Sequence, residues 1–129
     1  MRFSLLMAAA LAAVSPQASA QVRTPTMSPL QLQPTANGVM LVTTMTPRGA
    51  ADTLQRAFVA RHATNMLLCD PRCKPVNELP LGNPTAFGPS TSHRVIVGGK
   101  FQPGQKLHFI MQFASGVSVV EAVVTPNAP

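Results

Sequence analysis

Lys106-Leu107-His108-Phe109-Ile110-Met111-Gln112-Phe113 alternates strictly, with Leu107, Phe109, Met111 and Phe113 on one side of an extended chain and His108, Ile110 and Gln112 on the other. Ser115-Gly116 follows as a turn into the apolar run Val117-Ser118-Val119-Val120-Glu121-Ala122-Val123-Val124, so the stretch predicts a β-hairpin. Toward the N-terminus, Ser92-His93-Arg94-Val95-Ile96-Val97 reads as another strand, with His93, Val95 and Val97 on one face, ended by Gly98-Gly99. Asn37-Gly38 is a turn signal before the β-prone run Val39-Met40-Leu41-Val42-Thr43-Thr44-Met45, which Pro47-Arg48-Gly49 breaks. Pro75, Pro80, Gly82, Pro84, Gly88 and Pro89 leave room only for short strands, such as one over 76–79. Short strands with Pro and Gly between them predict an all-β antiparallel sandwich or barrel. There is no internal repeat and no heptad pattern.

The ends bound the rest. Residues 1–20 carry one basic residue, Arg2, then an apolar run from Phe3 to Val14 and the small-residue ending Ala18-Ser19-Ala20, the pattern of a cleaved secretory signal. No other stretch is long and apolar enough to span a bilayer, so an exported, periplasmic or secreted protein starting near Gln21 is expected. Residues 21–36, rich in Pro, Thr and Gln, read as an extended lead-in with one edge strand, and residues 37–126 as a single domain. Without Arg2 the chain keeps nine Lys and Arg against Asp52, Asp70, Glu78 and Glu121, a formal charge of +5. A basic chain suggests nucleic acid, but Trp and Tyr are absent and no basic stripe is interleaved with aromatics, so the charge points to solubility and attraction to an acidic partner or membrane surface.

Residues 50–68 are ambiguous. Leu54, Phe58 and His62 fall at helical spacing, and propensity alone favours a helix. The next stretch, Cys69-Asp70-Pro71-Arg72-Cys73, holds the only two cysteines. In an oxidising compartment the plain reading is a disulfide. Closing so small a loop removes little chain entropy, so the pair suits redox or metal chemistry as well as stapling, and spacing alone leaves both open. Nucleophile elbows, phosphate loops and carboxylate pairs close in sequence are absent, and the Cys-x-x-Cys of a disulfide oxidoreductase is not present, so no enzyme is expected.

The order of landmarks resembles that of the periplasmic PCu(A)C copper chaperones. Gly38-Val39-Met40-Leu41-Val42-Thr43 is similar to that family's first long strand, and Gly49-Ala50-Ala51-Asp52-Thr53-Leu54 to its Gly-Ala-Ala-Asp stretch. Asn65-Met66-Leu67-Leu68-Cys69 stands where the family has a strand ending in its first histidine ligand, and Cys73-Lys74-Pro75-Val76 where it has Met-Arg-Pro-Val. Ser92-His93-Arg94-Val95 matches the position of its Gly-Tyr-His-x-Met, and residues 100–124 its closing hairpin. The resemblance covers residues 38–124 and implies a cupredoxin-like barrel in which 50–68 forms two strands.

The resemblance also implies a copper(I) carrier, yet of the family's His, Met, His, Met set only His93 is retained. Cys69 replaces the first histidine, Cys73 the first methionine and Val95 the last. Two thiolates and an imidazole still suit Cu(I), which favours sulfur and low coordination. The Sco copper carriers, on a different fold, use a similar Cys-x3-Cys with a distant histidine. The expected metal ligands are therefore Cys69, Cys73 and His93, with a thiol reductant to keep the pair open. The implied partner is a copper-accepting protein such as the CuA subunit of cytochrome c oxidase. The competing reading is a metal-free adaptor whose Cys69–Cys73 disulfide is structural. His62 and His108 stand in no motif, and Met27, Met40, Met45, Met66 and Met111 lack paired ligand spacing and suit core filling.

Overall fold

A computed structural model describes residues 23–126, and the signal sequence expected at 1–20 lies outside the described residues. The strands are β1 (Thr26–Met27), β2 (Leu30–Pro34), β3 (Gly38–Thr46), β4 (Asp52–Phe58), β5 (Thr64–Cys69), β6 (Cys73–Pro75), β7 (Leu79–Leu81), β8 (Thr85–Phe87), β9 (His93–Gly98), β10 (Lys106–Phe113) and β11 (Gly116–Val124). They form one sheet in the order β6-β5-β9-β8-β3-β2-β11-β10-β4-β7, with β1 added to β3. Near the two ends of this path β4 and β7 come against β5, so the sheet rolls up around its own inner face.

The alternation read from the sequence is the alternation of burial. Along β10, Leu107, Phe109, Met111 and Phe113 are buried while Lys106, His108, Ile110 and Gln112 are exposed. With Leu32, Leu41, Met45, Leu54, Leu79, Leu81, Val95, Val97 and Val124 they make one core. Strictly period-two strands place every second apolar side chain inside, which fixes their register, because a slip by one residue would turn the whole set to solvent. Met45 and Met111 are fully buried, the core-filling role their spacing suggested.

Residues 50–68 form β4 and β5 and no helix. A tight reversal separates the two strands: Val59 and His62 form an isolated bridge, and Arg61 adopts φ 70°, a left-handed conformation that no helix continues through. β4 is held instead by pairing with β10 and β7, so tertiary pairing overrides the helical spacing of Leu54 and Phe58.

Three local expectations are corrected. The lead-in carries two strands, and β2 is no edge strand: it lies between β3 and β11, antiparallel to the first and parallel to the second. Leu32, fully buried, explains why this segment joins the core. The sheet is accordingly mixed, with a second parallel contact at Phe87–His93 between β8 and β9. The short strand expected over 76–79 begins at Leu79 instead, and Pro80 fits within it because β7 ends the path of the sheet and pairs only with β4.

Candidate metal-binding and redox site

Cys69 closes β5 and Cys73 opens β6, and the two are direct cross-strand partners. Their sulfurs are joined as a disulfide, with Cα atoms 3.8 Å apart. The tip is exposed at Asp70, Pro71, Arg72 and Cys73, whereas Cys69 is only 6% accessible. Within the tip the Asp70 N–H donates to the Arg72 carbonyl at 3.0 Å. The hairpin is thus asymmetric, with one sulfur-bearing residue packed on the sheet and the other facing solvent beside Arg72 and Lys74.

β9 runs alongside β5, with Met66 opposite Val95 and Leu68 opposite His93. The Cys69 N–H donates to the Ser92 carbonyl at 2.8 Å, which fastens the base of the hairpin to the start of β9. His93 is engaged at both ring nitrogens: Nε2 lies 2.6 Å from the Pro80 carbonyl and Nδ1 2.9 Å from the Ser92 hydroxyl. A carbonyl only accepts, so Nε2 carries the proton, and in the neutral ring Nδ1 is the lone-pair nitrogen that receives the Ser92 hydroxyl. The ring also stands edge-on to Phe87 at 5.6 Å between centroids. Fixing one imidazole N–H on a backbone carbonyl is how metal-ligating histidines are commonly oriented.

The three expected ligands are therefore neighbours through the β5–β9 pairing, but they are not a formed ligand set. His93 pairs with Leu68, and strand alternation sets Cys69 on the opposite side of β5 from Leu68. Among the described residues no three His, Cys, Asp or Glu side chains are grouped to hold a metal ion. Val95, at the family's last methionine position, is fully buried and belongs to the core.

The remaining candidates have structural surroundings. His62 Nδ1 lies 3.2 Å from the Gly98 carbonyl, and the ring packs on Phe101 at 4.8 Å. His108 lies 3.3 Å from Glu121 on the surface. Met66 is buried opposite Val95 rather than aimed at the hairpin tip.

Two features escaped sequence reasoning. The Pro80 carbonyl that orients His93 comes from β7, which precedes β9 by 13 residues and does not pair with it, so no local pattern announces it. Asp52, noted only as a landmark, is a clamp: its carboxylate accepts from the Thr53 N–H at 2.8 Å, from the Ser115 N–H at 3.3 Å and from the Ser115 hydroxyl in a short bond. It ties the start of β4 to the β10–β11 turn, a role its burial at 9% exposure signals.

A rolled all-β sheet with a cysteine hairpin beside a histidine strand defines a small cupredoxin-like barrel. Among solved structures it is similar to the apo PCuAC domain of PmoF2, with TM-score 0.67 and 16% identity over 82% of this chain and 93% of that one. It is also similar to the copper-bound PCuAC domain from PmoF2, with TM-score 0.61 and 18% identity over 82% of this chain and 94% of that one. No protein-family model matches the sequence, and no curated protein is similar to it. The fold of this chain is that of PCuAC domains.

Proposed function

We propose that this chain is a divergent member of the PCuAC family, an exported, non-enzymatic copper(I)-binding protein that takes up copper through Cys69, Cys73 and His93 and hands it to an acceptor such as the CuA subunit of cytochrome c oxidase. The observation that carries this reading is the hairpin itself. The shared fold, one neighbour of which is copper-bound, here has a soft sulfur pair at the tip beside a histidine whose Nε2–H is fixed on Pro80. Copper is the cargo, so the chemistry is ligand exchange.

The disulfide must open first, because a bonded sulfur pair offers no thiolate. A thiol reductant attacks one sulfur, releases the other as thiolate, and a second thiol resolves the mixed disulfide, leaving two reduced cysteines and one oxidised reductant pair. Joint ligation then requires the hairpin tip to twist across the edge of β5, giving up the Cys69 N–H bond to Ser92, so that both thiolates reach Nδ1 of His93, which must exchange the Ser92 hydroxyl for the metal.

A second reading is favoured by a specific observation: the disulfide is formed and both His93 nitrogens are already occupied, as in a metal-free adaptor whose cysteines are structural. A Cu(I) titration against a chromophoric chelator separates the two. The carrier reading expects tight one-to-one binding by the reduced protein only, lost in Cys69→Ser and Cys73→Ser and weakened in His93→Ala. Failure of the reduced protein to compete for Cu(I) would leave the adaptor.

A further inference from the structure

Among the described residues the exposed large apolar side chains are Phe58, Ile110, Val117 and Val119, and all four stand on one outward face, that of β4, β10 and β11. The register places them. Ile110 has Phe58 on one side and Val119 on the other, the next row holds Arg56, Gln112 and Val117, and the row beyond Ile110 in the other direction holds His108 and Glu121. Every second residue of β10 and β11 turns inward, and past the irregularity at Gln55 the pairing of Arg56 with Gln112 and Phe58 with Ile110 sets β4 in the same phase, so these side chains are on the surface by register rather than by fraying. A continuous apolar patch on a small domain marks a contact surface.

The charges on this face identify its occupant. Arg56 sits at one corner, on β4 and one row from Ile110, and Glu121 at the diagonal corner, on β11 and one row from Ile110 the other way. Arg56 has no carboxylate partner among the described residues, and Glu121 has only the exposed Lys106 at 3.9 Å and His108 at 3.3 Å. A two-fold axis lying in the plane of the face, through Ile110 and perpendicular to that diagonal, lays one copy on another with Ile110 against Ile110. It sets each Arg56 opposite Glu121 of the second copy. The face is therefore self-complementary at its apolar centre and at the Arg56 and Glu121 corners, as an isologous interface requires, with Lys106 at its far edge beyond His108.

We propose that the outer face of β4, β10 and β11 is the interface of a two-fold homodimer centred on Ile110, with reciprocal Arg56–Glu121 pairs at its rim. Three strands of four or fewer outward residues each cover less than the roughly 800 Å² per partner of a standard stable interface, so the dimer is a weak one. None of Cys69, Cys73 and His93 belongs to this face, so association is independent of the redox state and of copper.

Sedimentation equilibrium on the purified protein tests it, with circular dichroism to verify that each surface variant is folded. A concentration-dependent monomer–dimer equilibrium is expected, abolished by Ile110→Lys and by Val119→Lys. Arg56→Glu and Glu121→Arg should each weaken association by about tenfold, and the double variant Arg56→Glu/Glu121→Arg should recover it, because a contact that pairs Arg56 of one copy with Glu121 of the other returns each swapped charge to its opposite, while the arrest of association at the dimer marks the contact as two-fold. A monomer at every concentration up to about 1 mM overturns the proposal, as does a dimer indifferent to Ile110→Lys or a charge-swapped pair that gains nothing over the single variants.

Discussion

Asp52 shows how much one buried carboxylate can organise. Three hydrogen bonds converge on it from Thr53 and Ser115, so its removal leaves the Ser115 and Thr53 donors unsatisfied in a partly buried corner. Asp52→Ala is expected to lower the unfolding free energy by about 1–3 kcal/mol in urea denaturation, with Asp52→Asn less costly because the amide oxygen still accepts. A variant as stable as the parent would show that the clamp contributes nothing net. Gly38 is a second constrained position: a Cβ there would lie 2.0 Å from the Val97 carbonyl oxygen, so the close approach of β3 to β9 requires glycine. The asymmetry of the cysteines is also a residue-scale property. Once the pair is reduced, Cys73 at the exposed tip should be alkylated faster than Cys69 at 6% exposure, and mass spectrometry after a timed iodoacetamide pulse measures the order directly.

At the scale of elements, the disulfide closes a loop already held by cross-strand pairing of Leu67 with Pro75 and Leu68 with Lys74. With a sequence separation of 4, the loop-entropy relation gives a contribution of about 2 kcal/mol. Reduced protein should therefore stay folded, with an unfolding free energy lowered by no more than that amount in denaturant titration; loss of the fold on reduction would mark the bridge as a staple. The β10–β11 hairpin was legible in the sequence because Leu107, Phe109, Met111 and Phe113 fall on one side of β10 and Ser115-Gly116 turns the chain into a second β-prone run, and His93, Val95 and Val97 were legible on one face of β9 by the same period of two. The pairing of Cys69 with Cys73 was legible only as one of two options, since spacing bounds geometry but not oxidation. Residues 50–68 misled propensity because Leu54 is in the core while Phe58, one helical turn on, is 45% exposed, a pattern that only the neighbouring strands explain. The place of β2 was not legible because its partner β11 is distant in the chain, and the Pro80 contact to His93 was not because β7 and β9 meet without pairing.

For the whole molecule, the parallel contact of β2 with β11, Ala122 with Leu30 through Val124 with Leu32, joins the first part of the described chain to the last. Deleting residues 116–129 should leave β2 paired only with β3 and β10 only with β4, each with one open edge, and yield a chain that fails to give a cooperative thermal transition by circular dichroism. A folded truncation product would contradict this. The same contact carries a temporal consequence. Leu32 cannot reach its final surroundings until Val124 has been synthesised, so an emerging chain holds its oily half-sheet open while the more than ninety residues between them are made. Pairings of such long sequence separation form slowly, and during that interval the nascent protein is a natural client for holding chaperones and an easy substrate for any machinery that threads unfolded polypeptide.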